Sequence, residues 1–147
     1  QLVIGGEKAA VAKAGELAKA AGARRLMPLR VSGPFHTPLM APAGEALKAR
    51  FENERFGELQ VPVLFNCLGR EMGEGDTIPA LLVRQVQDSV YMEDTIRRLA
   101  ALGVDTVIEI GPGRALSGFV AKTAPGIQCY AIEDCASLEA AVAAVRG

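Results

Sequence analysis

Val104-Asp105-Thr106-Val107-Ile108-Glu109-Ile110-Gly111-Pro112-Gly113-Arg114 is a β-branched apolar run that stops at a Gly-Pro-Gly turn and passes into a helical pattern. A run of that kind reads as a buried parallel strand feeding a helix. A second apolar run at Ile127–Ile132 follows the helix, so the three segments form a strand, helix, strand unit. The terminal segment carries Leu138, Ala141, Val142 and Val145 at helical spacing, with Ser137 as its expected cap.

Upstream, the same alternation recurs. Leu2–Ile4 reads as a strand ended by Gly5-Gly6, and a helix is expected over Glu7–Ala21 with Gly22 as its C′ residue. Arg25–Val31 reads as the next strand, and a domain boundary is expected at Val31–Ser32. After a proline-flanked loop, Ser32–Pro38, a helix is expected from Leu39 to Asn53, with Pro42 tolerable only near its first turn. Val61–Asn66 reads as a strand and Cys67–Gly75 as a loop. Asp76 is the expected cap of a helix bearing Ile78, Leu81, Leu82 and Gln85, and Met92–Leu102 is a further helix closed by Gly103. Strands alternating with helices define an α/β fold with a mainly parallel sheet.

Composition narrows the function classes. Half of the 147 residues are hydrophobic and 22% are charged, which suits a packed core. The formal net charge of -1 gives no field that would attract nucleic acid. No apolar run approaches the length of a membrane span, so no membrane partner and a cytoplasmic location are expected. Cys67, Cys129 and Cys135 show no metal-ligand spacing, and reduced thiols are expected. The chain enters an apolar segment directly after Gln1, and a piece of a longer protein is expected.

His36 is the sole histidine, and it lies in a loop directly after an expected strand, where α/β proteins place chemistry. An imidazole there serves as a general base or is merely satisfied by a backbone contact; the residue alone leaves both open. Cys67 is readable as a nucleophile or as a buried structural thiol, and the absence of a basic neighbour in sequence favours the second. None of the four serines, at 32, 89, 117 and 137, lies in a G-x-S-x-G elbow. Gly111-Pro112-Gly113-Arg114 has the form of an anion cradle at a helix start, but Pro112 lacks an N–H, and a tight connection is the stronger reading.

Pro34-Phe35-His36-Thr37-Pro38-Leu39-Met40 resembles the histidine motif of the malonyl-CoA:acyl-carrier-protein transacylases and of the acyltransferase domains of fatty-acid and polyketide synthases. Leu82-Val83-Arg84-Gln85, Glu109-Ile110-Gly111-Pro112-Gly113 with Leu116, Gln1-Leu2-Val3-Ile4-Gly5-Gly6, and Val61-Pro62-Val63 with Asn66 resemble further elements of that family, in family order. The resemblance implies that residues 1–31 are the last βαβ part of a ferredoxin-like small subdomain. Residues 32–147 would then be the C-terminal part of an α/β-hydrolase-like large subdomain. It implies His36 as catalytic base, the backbone carbonyl of Gln85 as its orienting group, and Phe35 as a substrate-side residue. A phenylalanine before the histidine goes with malonyl rather than methylmalonyl units in related synthase domains.

The implied partners are malonyl-CoA, acyl carrier protein and a missing N-terminal half that carries a serine nucleophile, an arginine and a glutamine. No cofactor or metal is implied, because the CoA thioester and the phosphopantetheine thiol are substrates. A noncatalytic carrier-docking homologue and a hydrolase of related fold are the competing expectations.

Overall fold

In the computed structural model, which describes residues 1–146, β1 (Thr106–Ile110) and β2 (Gln128–Ile132) pair in parallel. The register runs from Thr106 opposite Gln128 to Ile110 opposite Ile132. Helix α5 (Ala115–Thr123) joins them, completing the expected strand, helix, strand unit. The other helices are α1 (Lys8–Ala20), α2 (Ala41–Phe51), α3 (Ile78–Arg84), α4 (Met92–Ala101) and α6 (Cys135–Arg146). A short 3₁₀ turn, Pro38–Met40, leads into α2.

Alternation along β1 sorts its side chains onto two faces. Val107 packs into a cluster built on Ile96 of α4, Val120 of α5 and Ile127, with Leu99, Phe119 and Cys129 around it. The opposite face is uncovered: Ile108 is 47% and Ile110 82% exposed. The strand was expected to be buried on both sides. Here it has one neighbouring strand, and nothing among the described residues lies over Ile108 and Ile110. A second cluster, Phe65, Cys67 and Leu81, fixes α3 against the segment before it, with Val63, Leu68, Met72 and Ile78 at its margin.

Helix ends follow the glycines. Gly22 (φ 98°) and Gly103 (φ 79°) take the left-handed conformation that a Cβ disfavours. At α1, Gly22 N–H bonds to Lys19 O and Ala23 N–H to Ala18 O. At α4, Gly103 N–H bonds to Ala100 O and Val104 N–H to Leu99 O. These paired bonds are Schellman closures, which satisfy carbonyls the helix leaves free.

Two caps differ from expectation. Thr77, not Asp76, caps α3: its Oγ1 accepts from Ala80 N at 3.4 Å, while the Asp76 carboxylate accepts from Gly73 N at 2.9 Å. Helix α6 begins at Cys135, ahead of Ser137. Asp134 Oδ1 accepts from Ser137 N at 2.8 Å and Ser137 Oγ accepts from Asp134 N at 3.0 Å, a reciprocal box.

Three expected strands are absent as ladders. Leu2–Ile4 and Arg25–Val31 have no hydrogen-bonded partner strand, and Leu2 is 97% exposed. Val61–Asn66 is reduced to one antiparallel bridge, Phe65 to Arg70, across a tight turn. The physical reason is common to all three. A segment of any composition becomes a strand only when another backbone satisfies its N–H and C=O groups.

Candidate active site

The loop between Arg25–Val31 and α2 is shaped by its prolines and by Thr37. Thr37 is 6% exposed, and its hydroxyl donates to Pro34 O at 2.7 Å. The same oxygen accepts from Leu39 N at 3.3 Å, which caps the 3₁₀ turn. This small box buries Thr37 and leaves His36, just before it, exposed. His36 sits there with φ 61°, a left-handed conformation rare for a side-chain-bearing residue.

That backbone strain costs about 1–3 kcal/mol. Two hydrogen bonds oppose it. His36 N–H donates to Val86 O at 3.0 Å, and ring Nδ1 lies 2.8 Å from Gln85 O. Each is worth ~0.5–1.5 kcal/mol net, enough together to offset the strain. A carbonyl only accepts, so Nδ1 carries the proton in this pairing, and the tautomer that fits it has Nε2 as the free base.

The acceptors come from the end of a helix. Gln85 is the C-cap of α3 and its own N–H bonds to Leu81 O at 3.0 Å. The carbonyls of the last helical residues have no partner inside the helix. The carbonyls of the C-cap Gln85 and of Val86 just beyond it are taken up by the His36 loop. Residues 49 apart in sequence thus meet because a helix terminus needs donors and a histidine loop supplies them.

Phe35, the residue before the base, is 51% exposed, and its ring folds over Gly33, where a Cβ would lie 3.3 Å from Cε2. Cys67 is 2% exposed, and its Sγ faces Leu81 O at 3.7 Å. Burial pushes its pKa up, against a smaller opposing pull from Arg84. Those are the properties of a structural thiol rather than a nucleophile.

The Gly-Pro-Gly turn binds anions of its own. Glu109 Oε1 accepts from Leu116 N at 3.0 Å, and Oε2 accepts from Ser117 N at 2.8 Å and Ser117 Oγ at 2.6 Å. Glu133 Oε2 accepts from Gly113 N at 3.1 Å. Two carboxylates therefore fill the start of α5, and the tight-connection reading of the turn holds. The role of Glu109 was not recognised in the sequence. Its signal is a carboxylate inside an otherwise apolar strand, one turn from a helix start. A cleft of 330 Å³ between α5, β2 and α6 is lined by Arg114, Ser117, Tyr130 and Ser137, and by none of Phe35, His36 or Gln85.

Among the described residues, no helix is long and apolar enough to cross a membrane. Fold and loop together define an α/β protein with an exposed imidazole oriented by a main-chain carbonyl. No family model matches the chain. The Bacillus subtilis malonyl CoA-acyl carrier protein transacylase is 41% identical over 146 residues, 99% of this chain and 46% of its own length. The crystal structure of the Clostridium perfringens malonyl CoA-acyl carrier protein transacylase matches with a TM-score of 0.89 at 39% identity, over 96% of this chain and 44% of that one. A malonyl-transacylase solved in complex with a type II PKS acyl-carrier protein matches with a TM-score of 0.87 at 39% identity, over 95% of this chain and 45% of that one.

The chain is a homologue of the malonyl CoA-acyl carrier protein transacylases and aligns with their C-terminal half. It spans about half the length of the curated relatives it matches.

Proposed function

We propose that this chain is the histidine-bearing half of an acyltransferase that moves a malonyl group from malonyl-CoA to the phosphopantetheine thiol of acyl carrier protein. The observation that carries the reading is the 2.8 Å contact from His36 Nδ1 to Gln85 O, which leaves Nε2 free to take a proton. Homologues named for this reaction, one of them bound to a carrier protein, support it.

The reaction runs in two half-reactions. In the first, a serine hydroxyl from the N-terminal half attacks the thioester carbonyl of malonyl-CoA. Nε2 of His36 accepts the hydroxyl proton as the new C–O bond forms. The C–S bond then breaks, and the imidazolium returns that proton to the departing CoA sulfur. In the second, Nε2 takes the proton of the carrier thiol, whose sulfur attacks the acyl-serine ester. The serine oxygen leaves and recovers the proton. Atoms and protons balance with no cofactor. An arginine from the same N-terminal half would hold the malonyl carboxylate. The Gln85 carbonyl keeps Nδ1 protonated and the ring oriented without adding a full negative charge.

The test is transfer itself: the full-length enzyme with malonyl-CoA and holo carrier protein, followed by mass spectrometry of the carrier. Malonyl-carrier forming at wild-type rate with His36→Ala would overturn the assignment. Release of free malonate in place of malonyl-carrier would point to the hydrolase instead.

A further inference from the structure

The N-terminal segment passes the histidine loop at Gly5, with no room there for a side chain. A Cβ placed on Gly5 would lie 2.7 Å from Thr37 Cγ2 and 3.9 Å from Phe35 O. Real Cβ atoms do not approach a methyl that closely, so any side chain at Gly5 must displace Thr37 or the segment itself. Thr37 is poorly able to yield. Rotating its Cγ2 away would carry Oγ1 out of its bonds to Pro34 O at 2.7 Å and Leu39 N at 3.3 Å. A β-branched side chain has no flexible end to swing aside.

We infer that Gly5 and Thr37 form a positioning pair for His36: the bare backbone at Gly5 seats the Thr37 methyl, and the seated Thr37 holds His36 in its left-handed conformation. Three observations converge on this. His36, with φ 61°, is the only non-glycine residue of positive φ among the described residues. Thr37, its chain neighbour, is the one buried polar side chain among them. The hydroxyl of Thr37 bonds on both sides of His36, to Pro34 O and Leu39 N. Gly5 lies 31 residues before His36 and belongs to the segment before α1, so a part of the chain remote in sequence sets the pose of the base. The inference rests on the reading of His36 as the base of acyl transfer.

The pair predicts compensation. Serine at position 37 keeps the hydroxyl and removes the methyl that an added Cβ at Gly5 would strike. The full-length enzyme is compared as Gly5→Ala, Thr37→Ser and the double variant. Displacing a catalytic group costs up to about 10²-fold, and Gly5→Ala is expected to lose roughly tenfold in kcat with KM for malonyl-CoA within about twofold. Thr37→Ser alone keeps the hydroxyl bonds but gives up the methyl contact, so it loses less than Gly5→Ala, and the double variant returns to the level of Thr37→Ser.

Proton NMR supplies a readout independent of turnover. The His36 Nδ1–H resonance, assigned by its absence in His36→Ala, broadens in Gly5→Ala and returns in the double variant. Full kcat with an unchanged resonance in Gly5→Ala overturns the inference, and so does a double variant no better than Gly5→Ala alone. If Gly5→Ala does not fold, Thr37→Val decides. It keeps the size but loses the hydroxyl, and activity equal to Thr37→Ser would sink the idea. A wild-type enzyme that transfers no malonyl group sinks the functional reading instead, while the resonance still reports on the pair.

Discussion

The Nδ1 of His36 lies 2.8 Å from the carbonyl oxygen of Gln85, and that oxygen belongs to the last turn of a helix rather than to a side chain. A main-chain acceptor cannot be removed by ordinary substitution. His36→Ala in the full-length enzyme should cost on the order of 10²–10⁴-fold in malonyl transfer, the range for losing a general base. Gln85→Ala should be much milder, because the carbonyl survives. Gln85→Pro should be severe, since proline removes the N–H that bonds to Leu81 O and shifts the carbonyl with it. Steady-state transfer by the three variants checks the order, and a Gln85→Ala enzyme as impaired as His36→Ala would refute it.

Phe35 stands directly before the base with its ring half exposed. Under the proposed function, a ring in that place would crowd an α-methyl on the substrate. Phe35→Ser should raise the kcat/KM ratio of methylmalonyl-CoA to malonyl-CoA by roughly 10-fold or more, within the ~1–3 kcal/mol that one methyl group commands. Competition between the two thioesters, read on the carrier protein, measures it. An unchanged ratio would make Phe35 a packing residue of the loop.

Glu109 joins β1 to the start of α5. Hydrogen bonds from Ser117 Oγ, and then from the Ser117 and Leu116 backbone, hold its carboxyl below the ordinary glutamate value. Its folded-state pKa is thus depressed. The stability it contributes is present above the ordinary glutamate value and is lost as pH falls through the depressed one. Glu109→Gln should therefore lower Tm at neutral pH and leave little difference in acid, where the wild-type carboxyl is also neutral. Thermal melts of both proteins from neutral to acid pH would show the curves converge, and parallel curves would count against the cap.

The cysteines should react in order of exposure. Cys135 is exposed, Cys129 partly buried, and Cys67 buried with its pKa pushed up by desolvation. A burial-raised thiol offers little thiolate at neutral pH. Alkylation followed by peptide mass spectrometry should label Cys135 first and Cys67 last. Early labelling of Cys67 would reopen it as a reactive group.

The 147-residue chain by itself should move no malonyl groups and should self-associate. It leaves Leu2, Val31, Ile108 and Ile110 open to water and one edge of β1 without a partner among the described residues. Exposed strand edges and apolar patches drive pairing with other chains. Solution mass and transfer activity of the purified chain decide this; a soluble monomer with activity would mean that the nucleophile lies within these residues.

Periodicity and glycine position were enough to locate α1, α4, α5, α6 and the β1–α5–β2 unit, because helix stripes and Schellman glycines are local properties of the chain. His36 stood out for the same reason: one histidine in a proline-flanked loop is visible in any reading of the sequence. Segments such as Leu2–Ile4, Arg25–Val31 and Val61–Asn66 carry strand composition, yet a strand is a relation between two backbones, and composition cannot supply the second. The pose of the base is likewise nonlocal. The Nδ1 of His36 meets a carbonyl 49 residues away, and Thr37 beside it fits against a backbone at Gly5 that has no room for a Cβ. Glu109 could be seen as a charge in an apolar strand, but only the folded turn places it against the N–H groups of Leu116 and Ser117. The residue types and their spacing determined which groups were available. Only the packing of remote segments decided which of them meet, because hydrogen bonds and van der Waals contacts act over a few ångströms of space, whatever the separation along the chain.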